Sequence, residues 1–596
     1  MMNDVQHRAA SGNRSSNLKH IKMGNMVFIA LFATLFHTVT LAREMPGSKQ
    51  AKGKLGMVAA AHPLAAQAGI DMLNQGGNAV DAAVATAFAL TVVEPFASSI
   101  GGDGGALIYM DQTKKVEAFG YRCKAPASAN YETYDYNDKD SWNKTIKGAG
   151  VPGMVAGTCM LHKKYGRLPL ATVLAPAIRY AEEGFAASEK LANIVFDAYD
   201  VIDAHESTSI IFLDDGLPID PGFVVKNPDL AASLRLIAAE GPDAFYKGKL
   251  AAKMSTFIQA NGGHIGMKDF ADYTTVTGEA LKTAYRGLQI YSAPPPFGGL
   301  SVLMNLKVIS KLPLDYNKPY TDPQNIHLMA EAMKGVAKDR NKTVGDPEFD
   351  TVPVDYMLSD GYADKRARLV DPKRAIPGDE VQSVLPDYHD HHGSTTHLSV
   401  IDAEGNAVAI TQTLGNFFGC GVVIPGTGIL FNNQMKNFAK KPGVANALEP
   451  GKRMRSTQAP TIITRDGNVI MVVGTPGAYR IITTMVQIIV NNIDYGMSLW
   501  DAVDAARFSA RHSFSGLRLE KRFPAETRSQ LRARGHQLEL YDEWDLYFGG
   551  VHAIVRDPVS KVMMGSADRR RDGVVMIAKY KAADDAFKQS QTHPKN

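Results

Sequence analysis

Gly393-Ser394-Thr395-Thr396-His397-Leu398-Ser399-Val400-Ile401-Asp402 is the stretch from which the fold is read. Residues 398–402 form one strand. Ala403-Glu404-Gly405-Asn406 is a tight turn, and residues 407–413 run back as a second strand. The pattern recurs at residues 461–464 and 469–473 around Arg465-Asp466-Gly467-Asn468, and a helix follows over 481–491. Hairpins packed with helices predict a layered α/β domain assembled from both parts of the chain. By residue type alone, Thr395 and Thr396 are β-formers at a strand start.

Working outward toward the N-terminus, residues 64–73 carry helical spacing, and Gly76-Gly77-Asn78 ends that helix. Residues 79–92 form an Ala-rich helix that is apolar nearly all round, so it is expected to be buried. Gly101–Gly105 leads into a strand over 106–110, not into a helix, so it does not fit a dinucleotide fingerprint. Residues 150–380 read as largely helical, with periodic segments at 174–183, 230–239 and 327–339. Pro294-Pro295-Pro296 marks a rigid loop between a strand and a helix. Before all this, Lys19, His20 and Lys22 precede an apolar run from Met26 to Leu41, closed by Thr40-Leu41-Ala42. That is the pattern of a signal peptide or signal anchor over 1–42, and of an exported protein.

Composition excludes several classes. Sixty-five basic and sixty-one acidic residues give a net charge of +4 without a basic block, so no nucleic-acid partner is expected. Arg569-Arg570-Arg571, between Asp568 and Asp572, reads as a solvated or ion-paired turn. Three scattered cysteines, Cys123, Cys159 and Cys420, make neither a disulfide framework nor a redox pair, though one bridge stays possible. No GxSxG elbow is present. His389, His391, His392 and His397 cluster without the spacing of metal ligands on one helix face, and no metal is expected there.

The Thr-Thr-His triplet and the hairpin after it, with Gly405-Asn406-Ala407-Val408-Ala409, resemble the processing site of the γ-glutamyltransferase (glutathione hydrolase) family of N-terminal-nucleophile hydrolases. So do His62-Pro63-Leu64, the run Gly76 to Ala83, Val93-Glu94-Pro95, Val151-Pro152-Gly153 and Gly241 to Tyr246. The order continues through Pro294-Pro295-Pro296, Leu328-Met329-Ala330-Glu331-Ala332, Asn432-Asn433-Gln434-Met435, Pro476-Gly477 and Asp494-Tyr495-Gly496. The resemblance spans residues 55–575. It implies a four-layer αββα sandwich built from both subunits of a self-cleaved precursor. Residues 43–394 would be the large subunit and 395–596 the small one, associated as a heterodimer. The implied donor is a small γ-glutamyl compound such as glutathione, the acceptor water or an amino acid or peptide, and no cofactor is needed.

The chemistry suits the residues. A threonine hydroxyl is a weak nucleophile and needs an adjacent base. Cleavage before Thr395 would free an α-amine with a pKa of about 7.7–8.0, close to working pH. The resemblance makes Thr395 the nucleophile, Thr413 its hydrogen-bond partner, and Gly477 and Ala478 the oxyanion hole. Ala478 stands where the family has a second glycine, but the donor is a backbone N–H and serves if φ/ψ allows. Arg122, Ser456 and Thr457 match the residues that hold the substrate α-carboxylate.

The α-amino half departs from the family. Gln434 is retained, but Gly415 stands where the family has Asn or Glu, and Asn437 where it has Asp, with Lys436 beside it. A neutral partner gives an ammonium roughly 1 kcal/mol where a charged one gives about 1.5–3. A one-residue shift would let Asn416 compensate. Two further readings therefore stay open: a hydrolase for a dicarboxylic acid monoamide (a glutaryl-type acyl without the α-amine), and a non-catalytic exported binding protein on this fold. Residues 440–452 are short and lack tyrosine, which resembles the family's lidless form.

Overall fold

The computed structural model describes residues 47–134, 138–384, 394–513 and 516–579. The segment read as a signal sequence and His389, His391 and His392 lie outside the described residues.

Upstream of Thr395 the chain supplies strands β1 (Gln50–Gly53), β2 (Gly56–Ala60), β3 (Asp103–Met110) and β4 (Lys115–Tyr121). It then adds β5 (Val276–Glu279), β6 (Leu281–Tyr285) and β7 (Leu288–Ser292). From Ser394 onward come β8 (Ser394–Asp402), β9 (Ala407–Gly415), β10 (Thr461–Arg465) and β11 (Asn468–Gly474). The last strands are β12 (His552–Arg556), β13 (Met563–Ala567) and β14 (Val574–Ile577). They form two seven-stranded sheets, ordered β14-β2-β8-β9-β3-β4-β5 and β1-β13-β12-β11-β10-β7-β6. Each sheet interleaves strands from both sides of Thr395, and all these pairings are antiparallel.

Alternation along the strands makes the layers. Met57 and Ala59 of β2, Ile401 of β8 and Ala409 of β9 face inward and meet Ile462, Val472 and Ile554 of the second sheet. Val58, Ala60, Leu398, Val400, Val408 and Ile410 face outward, into a core shared with α1 (Pro63–Asn74) and α2 (Ala79–Val93). Beyond these lie α3 (Leu170–Glu183) and α4 (Pro228–Glu240). On the other side, α5 (Gly299–Ile309), α6 (Pro323–Thr343) and α7 (Arg480–Ile493) cover Ile290, Ile463, Met471 and Val473. The result is the four-layer αββα sandwich.

The helices begin where caps dictate, not where periodicity starts. Asn227 caps α4 before Pro228, and Asp322 caps α6 before Pro323, so both start earlier than the periodic segments at 230 and 327. Every residue of α2 is buried, as its all-round apolar pattern required. Asp402 ties the hairpin to that helix. Its Oδ1 accepts the turn N–H groups of Gly405 (2.9 Å) and Asn406 (3.0 Å), and its Oδ2 accepts Ala79 N–H (3.0 Å) at the start of α2.

The Arg569-Arg570-Arg571 run follows the ion-paired alternative of its reading. It is ion-paired, but only Arg569, on Asp504 at 2.7 Å, is solvated. Arg570 is fully buried against Glu520 (2.6 Å) and Asp568 (3.1 Å), and Arg507 meets Asp568 at 2.6 Å. These three bridges assemble around the end of β13, a non-local arrangement that charge patterning cannot see. The cysteines are all free and buried.

Burial alone would raise the Asp568 carboxyl, but Arg507 and Arg570 outweigh it and hold it well below the usual range. Its stabilising contribution is therefore complete above the unfolded carboxyl pKa of about 3.9 and is lost as pH falls toward the folded value. Asp568→Asn should cost about 3–5 kcal/mol at neutral pH, because it leaves the buried Arg507 guanidinium without its carboxylate and Arg570 with Glu520 alone. Urea melts should also show a shallower acid limb in the variant. An unchanged midpoint at pH 7 would refute this role.

Candidate active site

Thr395 stands at the head of a central strand, paired between β2 and β9. Ser394 pairs with Gly415 and Thr396 with Gln412, so Thr395 alone opposes two residues of β9. The extra residue, Leu414, turns its backbone out of the ladder. Its N–H reaches Ala97 O (3.2 Å), and its carbonyl accepts Asn433 N–H (3.0 Å). This bulge re-aims the strand end. Thr395 Oγ lies 3.4 Å from Thr413 Oγ, which also accepts Gly415 N–H at 3.0 Å. The expected pair is thus brought together, buried at the end of the sandwich.

His397, on the same face as Thr395, serves the packing. Its ring accepts or donates to Thr411 Oγ (2.8 Å) and Ser399 Oγ (3.1 Å), and burial pushes its pKa well down. A Cβ on Gly474 would sit 2.2 Å from that ring, so the absent side chain lets β11 close on β8. The chain then turns through Thr475, Pro476, Gly477 and Ala478 into α7. Gly477 has φ +130° and Ala478 φ +52°. Ala478 thus adopts the left-handed conformation that glycine takes without strain. Neither amide N–H donates to another backbone carbonyl among the described residues, which leaves both for an oxyanion.

The carboxylate half is more occupied than the sequence suggests. Arg122 is buried, and its Nη2 donates to Gln434 Oε1 at 3.2 Å, its Nε to Met454 O at 3.4 Å. Its Nη1 forms a short ion pair with Asp103, whose other oxygen accepts Cys123 N–H at 3.1 Å. The guanidinium has five N–H donors, so some remain for a ligand. Asp103 is the residue that sequence reasoning missed. The available signal was an acid inside the Gly101–Gly105 run. Ser456 is held by its N–H on Pro296 O (2.8 Å), and its carbonyl accepts Arg340 Nη2 (2.8 Å). Thr457 is half-buried beside Gly298, where a Cβ would meet its carbonyl at 2.3 Å.

In the amine half, Gln434 Oε1 accepts from Arg122 and, in a short bond, from Asn437 Nδ2. Gly415 has φ +102°, and a Cβ there would lie 2.2 Å from Asn433 Oδ1. That oxygen accepts Asn416 N–H at 2.9 Å, while Asn416 Oδ1 accepts a short bond from Lys436 Nζ. Burial pushes the Lys436 amine down to about 7. The family's larger side chain at 415 is thus replaced by this Asn433–Asn416–Lys436 ladder. The short 440–452 loop is pinned beneath Tyr131, whose hydroxyl accepts Leu448 N–H and bonds Ala439 O, both at 2.9 Å.

Two buried clusters lie nearby or apart. Glu94 pairs with Arg571 at 2.6 Å; burial raises its carboxyl pKa, while Arg571 and the Thr396 hydroxyl pull it down. Far along the chain, His327, Glu331 and His536 converge, but His327 and His536 bond each other at 2.8 Å and Glu331 pairs with Lys334 at 2.6 Å. These contacts tie His327 and Glu331 of α6 to His536 and Lys334. Among the described residues no helix is long and apolar enough to cross a membrane.

A threonine heading a central strand of an αββα sandwich, with a glycine-containing turn beside it, defines an N-terminal-nucleophile hydrolase. The sequence profile of the γ-glutamyltranspeptidase family matches residues 65–578, and the chain belongs to that family. The glutathione hydrolase proenzyme of Escherichia coli (strain K12) is 38% identical over 537 residues, 87% of this chain and 91% of its own. The acylase ACY 1 proenzyme of Pseudomonas sp. (strain SE83) is 37% identical over 542 residues, 88% of this chain and 94% of its own. The crystal structure of cephalosporin acylase from Bacillus halodurans matches with a TM-score of 0.82 at 33% identity, over 89% of this chain and 97% of that one.

An L-residue held at positive φ costs about 1–2 kcal/mol. Ala478→Gly should therefore raise stability by about 1 kcal/mol and the Tm by about 1–2 °C, measured by differential scanning fluorimetry. A lower Tm would show that the methyl group contributes packing that outweighs the strain.

Proposed function

We propose that this protein is an autoprocessed threonine amidohydrolase and acyltransferase that cleaves the γ-glutamyl amide of glutathione and related compounds. The observation that carries this reading is Thr395 at the head of β8, opposite the bulge in β9 and beside Thr413. Cleavage of the Ser394–Thr395 bond leaves a large chain ending at 394 and a small chain, 395–596. Strand pairings such as β2 with β8 and β9 with β3 keep the two together. The freed α-amine of Thr395 takes the hydroxyl proton as Oγ attacks the amide carbonyl. The Gly477 and Ala478 N–H groups hold the oxyanion, the C–N bond breaks, and the proton passes to the leaving amine. Water, or the amine of an amino acid or peptide, then takes the acyl group from the ester. Residues 1–42 direct export, on their basic and apolar pattern.

A second reading keeps the chemistry and changes the donor to a glutaryl-type monoamide. It rests on the amine half, where Gln434 and Asn416 already accept from Arg122, Asn437 and Lys436, and among the described residues none of their hydrogen-bond partners is a carboxylate. It is consistent with the acylases among the relatives.

On a denaturing gel the wild type should give two bands, the smaller beginning at Thr395, and Thr395→Ala one. A single unprocessed wild-type band would defeat both readings and favour a non-catalytic protein. Parallel assays of γ-glutamyl and glutaryl 4-nitroanilides separate the donors, and faster glutaryl release sinks the first reading. Asn437→Asp should shift the preference toward γ-glutamyl about tenfold, the worth of roughly one charge-assisted bond.

A further inference from the structure

His327 and Glu331 stand one turn apart on the same face of α6, and His536 reaches them from the turn after α8 (Ala525–Ala533). All three side chains are buried, and one ligand atom of each lies within 4.8 Å of the other two. None of them belongs to the site around Thr395.

The hydrogen bonds fix which atoms carry lone pairs. His327 Nε2 meets Asp371 O at 2.8 Å. A carbonyl only accepts, so in the neutral ring Nε2 carries the hydrogen and Nδ1 the lone pair. That lone pair faces His536 Nε2 at 2.8 Å, and the hydrogen between the two rings therefore belongs to His536. An imidazole whose other nitrogen donates to a backbone carbonyl is the usual setting of a metal-bound histidine. Glu331 Oε2 accepts Ile376 N–H at 3.2 Å. Its Oε1 is buried and makes no directed hydrogen bond, with Lys334 Nζ 2.6 Å away. Lys334 has another partner, since its Nζ donates to Ile376 O at 2.5 Å. Arg534 is turned onto Gln324 Oε1 at 3.0 Å.

We propose that His327 Nδ1, His536 Nε2 and a Glu331 carboxylate oxygen bind a divalent transition-metal ion, Zn²⁺ by the donor set. Two imidazoles and a carboxylate suit Zn²⁺, whereas Ca²⁺ and Mg²⁺ prefer sets made of oxygen. The ion takes the place of the hydrogen between the rings, and His536 moves that hydrogen to Nδ1. Zn–N bonds of about 2.0–2.1 Å at a tetrahedral angle set the two nitrogens roughly 3.3 Å apart, so the rings part by about half an ångström. Lys334 gives up Glu331 and keeps Ile376 O. Its ammonium opposes the charge of the ion and lowers the affinity. The fourth position is left for water.

The site joins distant parts of the chain. His327 and Glu331 precede Thr395, His536 follows it, and the 371–376 segment is attached through Asp371 O and Ile376 N–H. The ion is a clamp between them. It takes no part in acyl transfer, so the proposal does not depend on the amidohydrolase reading.

The test titrates Zn²⁺ into the purified, chelator-treated protein by calorimetry and follows the Tm. A single equivalent should bind per chain. Zn²⁺ at about 100 times its Kd should raise the Tm by about 3 °C, and Ca²⁺ should not. His536→Ala should weaken Zn²⁺ binding more than about hundredfold and abolish the shift. Glu331→Gln should weaken it about tenfold, whereas Lys334→Met should tighten it about tenfold. Opposite signs from two neighbours on α6 do not arise from lost stability, so this pair decides the matter if His536→Ala does not fold. His391→Ala, in the separate histidine run, should bind Zn²⁺ as the wild type does. Absence of binding overturns the proposal, as does equal affinity in the wild type and His536→Ala. Weaker binding in both Glu331→Gln and Lys334→Met, or its loss in His391→Ala, overturns it too.

Discussion

The rest of the molecule depends on β8 being held along both of its edges. A nucleophile at the head of a strand is useful only if that strand stays fixed when the peptide before it is gone. β8 meets this condition by lying inside a sheet, with Leu398 paired to Ala60 on one side and to Ile410 on the other. Its neighbours come from both parts of the chain, and so do the strands of both sheets. β1 pairs with β13 and β7 with β10 in the second sheet, and β2 with β14 in the first. Apart from the Ser394–Gly415 pair, which lies before the cut, breaking that one bond would leave the ladder pairings in place. It would also leave intact an inter-sheet core to which Met57, Leu107 and Tyr109 contribute from one side, and Ile401, Val472 and Ile554 from the other.

Buried polar contacts follow the same division. Glu94 meets Arg571, Ala79 N–H meets Asp402, and Arg453 N–H meets Asp346 at 2.8 Å. Each contact joins the segment before Thr395 to the segment after it. Buried ion pairs gain little net energy against apolar replacements, but breaking one is costly. Their effect here is on register: the two segments satisfy their charges in one relative position.

What the sequence shows in advance, and what it hides, follows from distance along the chain. The hairpins at Gly405 and Gly467 are legible because turn chemistry is local, and α2 because its composition leaves it no polar face. Thr395 is singled out only through a family resemblance at Thr395-Thr396-His397, since a threonine at a strand start has no chemical mark of its own. The interleaved sheet order was hidden, because β2 and β8 are separated by several hundred residues. So were the ion pairs: Asp103 with Arg122, and Asp568 with Arg507, appear only when strands bring them together. The departures at 415 and 437 were visible as substitutions. Their consequence was not, because it passes through Asn433 and Lys436, which only the folded chain places beside them.

That consequence turns on a single group. Asn437 donates its amide N–H to Gln434 Oε1, which Arg122 also engages. A carboxylate at 437 would have no proton to give. It would add a negative charge and release Gln434 Oε1 as an acceptor, so two features of an ammonium site would appear together. With Asn437 in place both are missing, and the nearby amine of Lys436 already holds the amide oxygen of Asn416. Arg122 meanwhile keeps donors beyond those directed at Asp103, Gln434 and Met454. On the proposed reading the acyl site would be asymmetric: its carboxylate side would be preorganised around the Arg122 guanidinium, and its opposite side closed by the chain's own amides. Such a site would discriminate donors by what they carry next to the carboxylate, while the proposed threonine chemistry at the end of β8 would be the same for all of them.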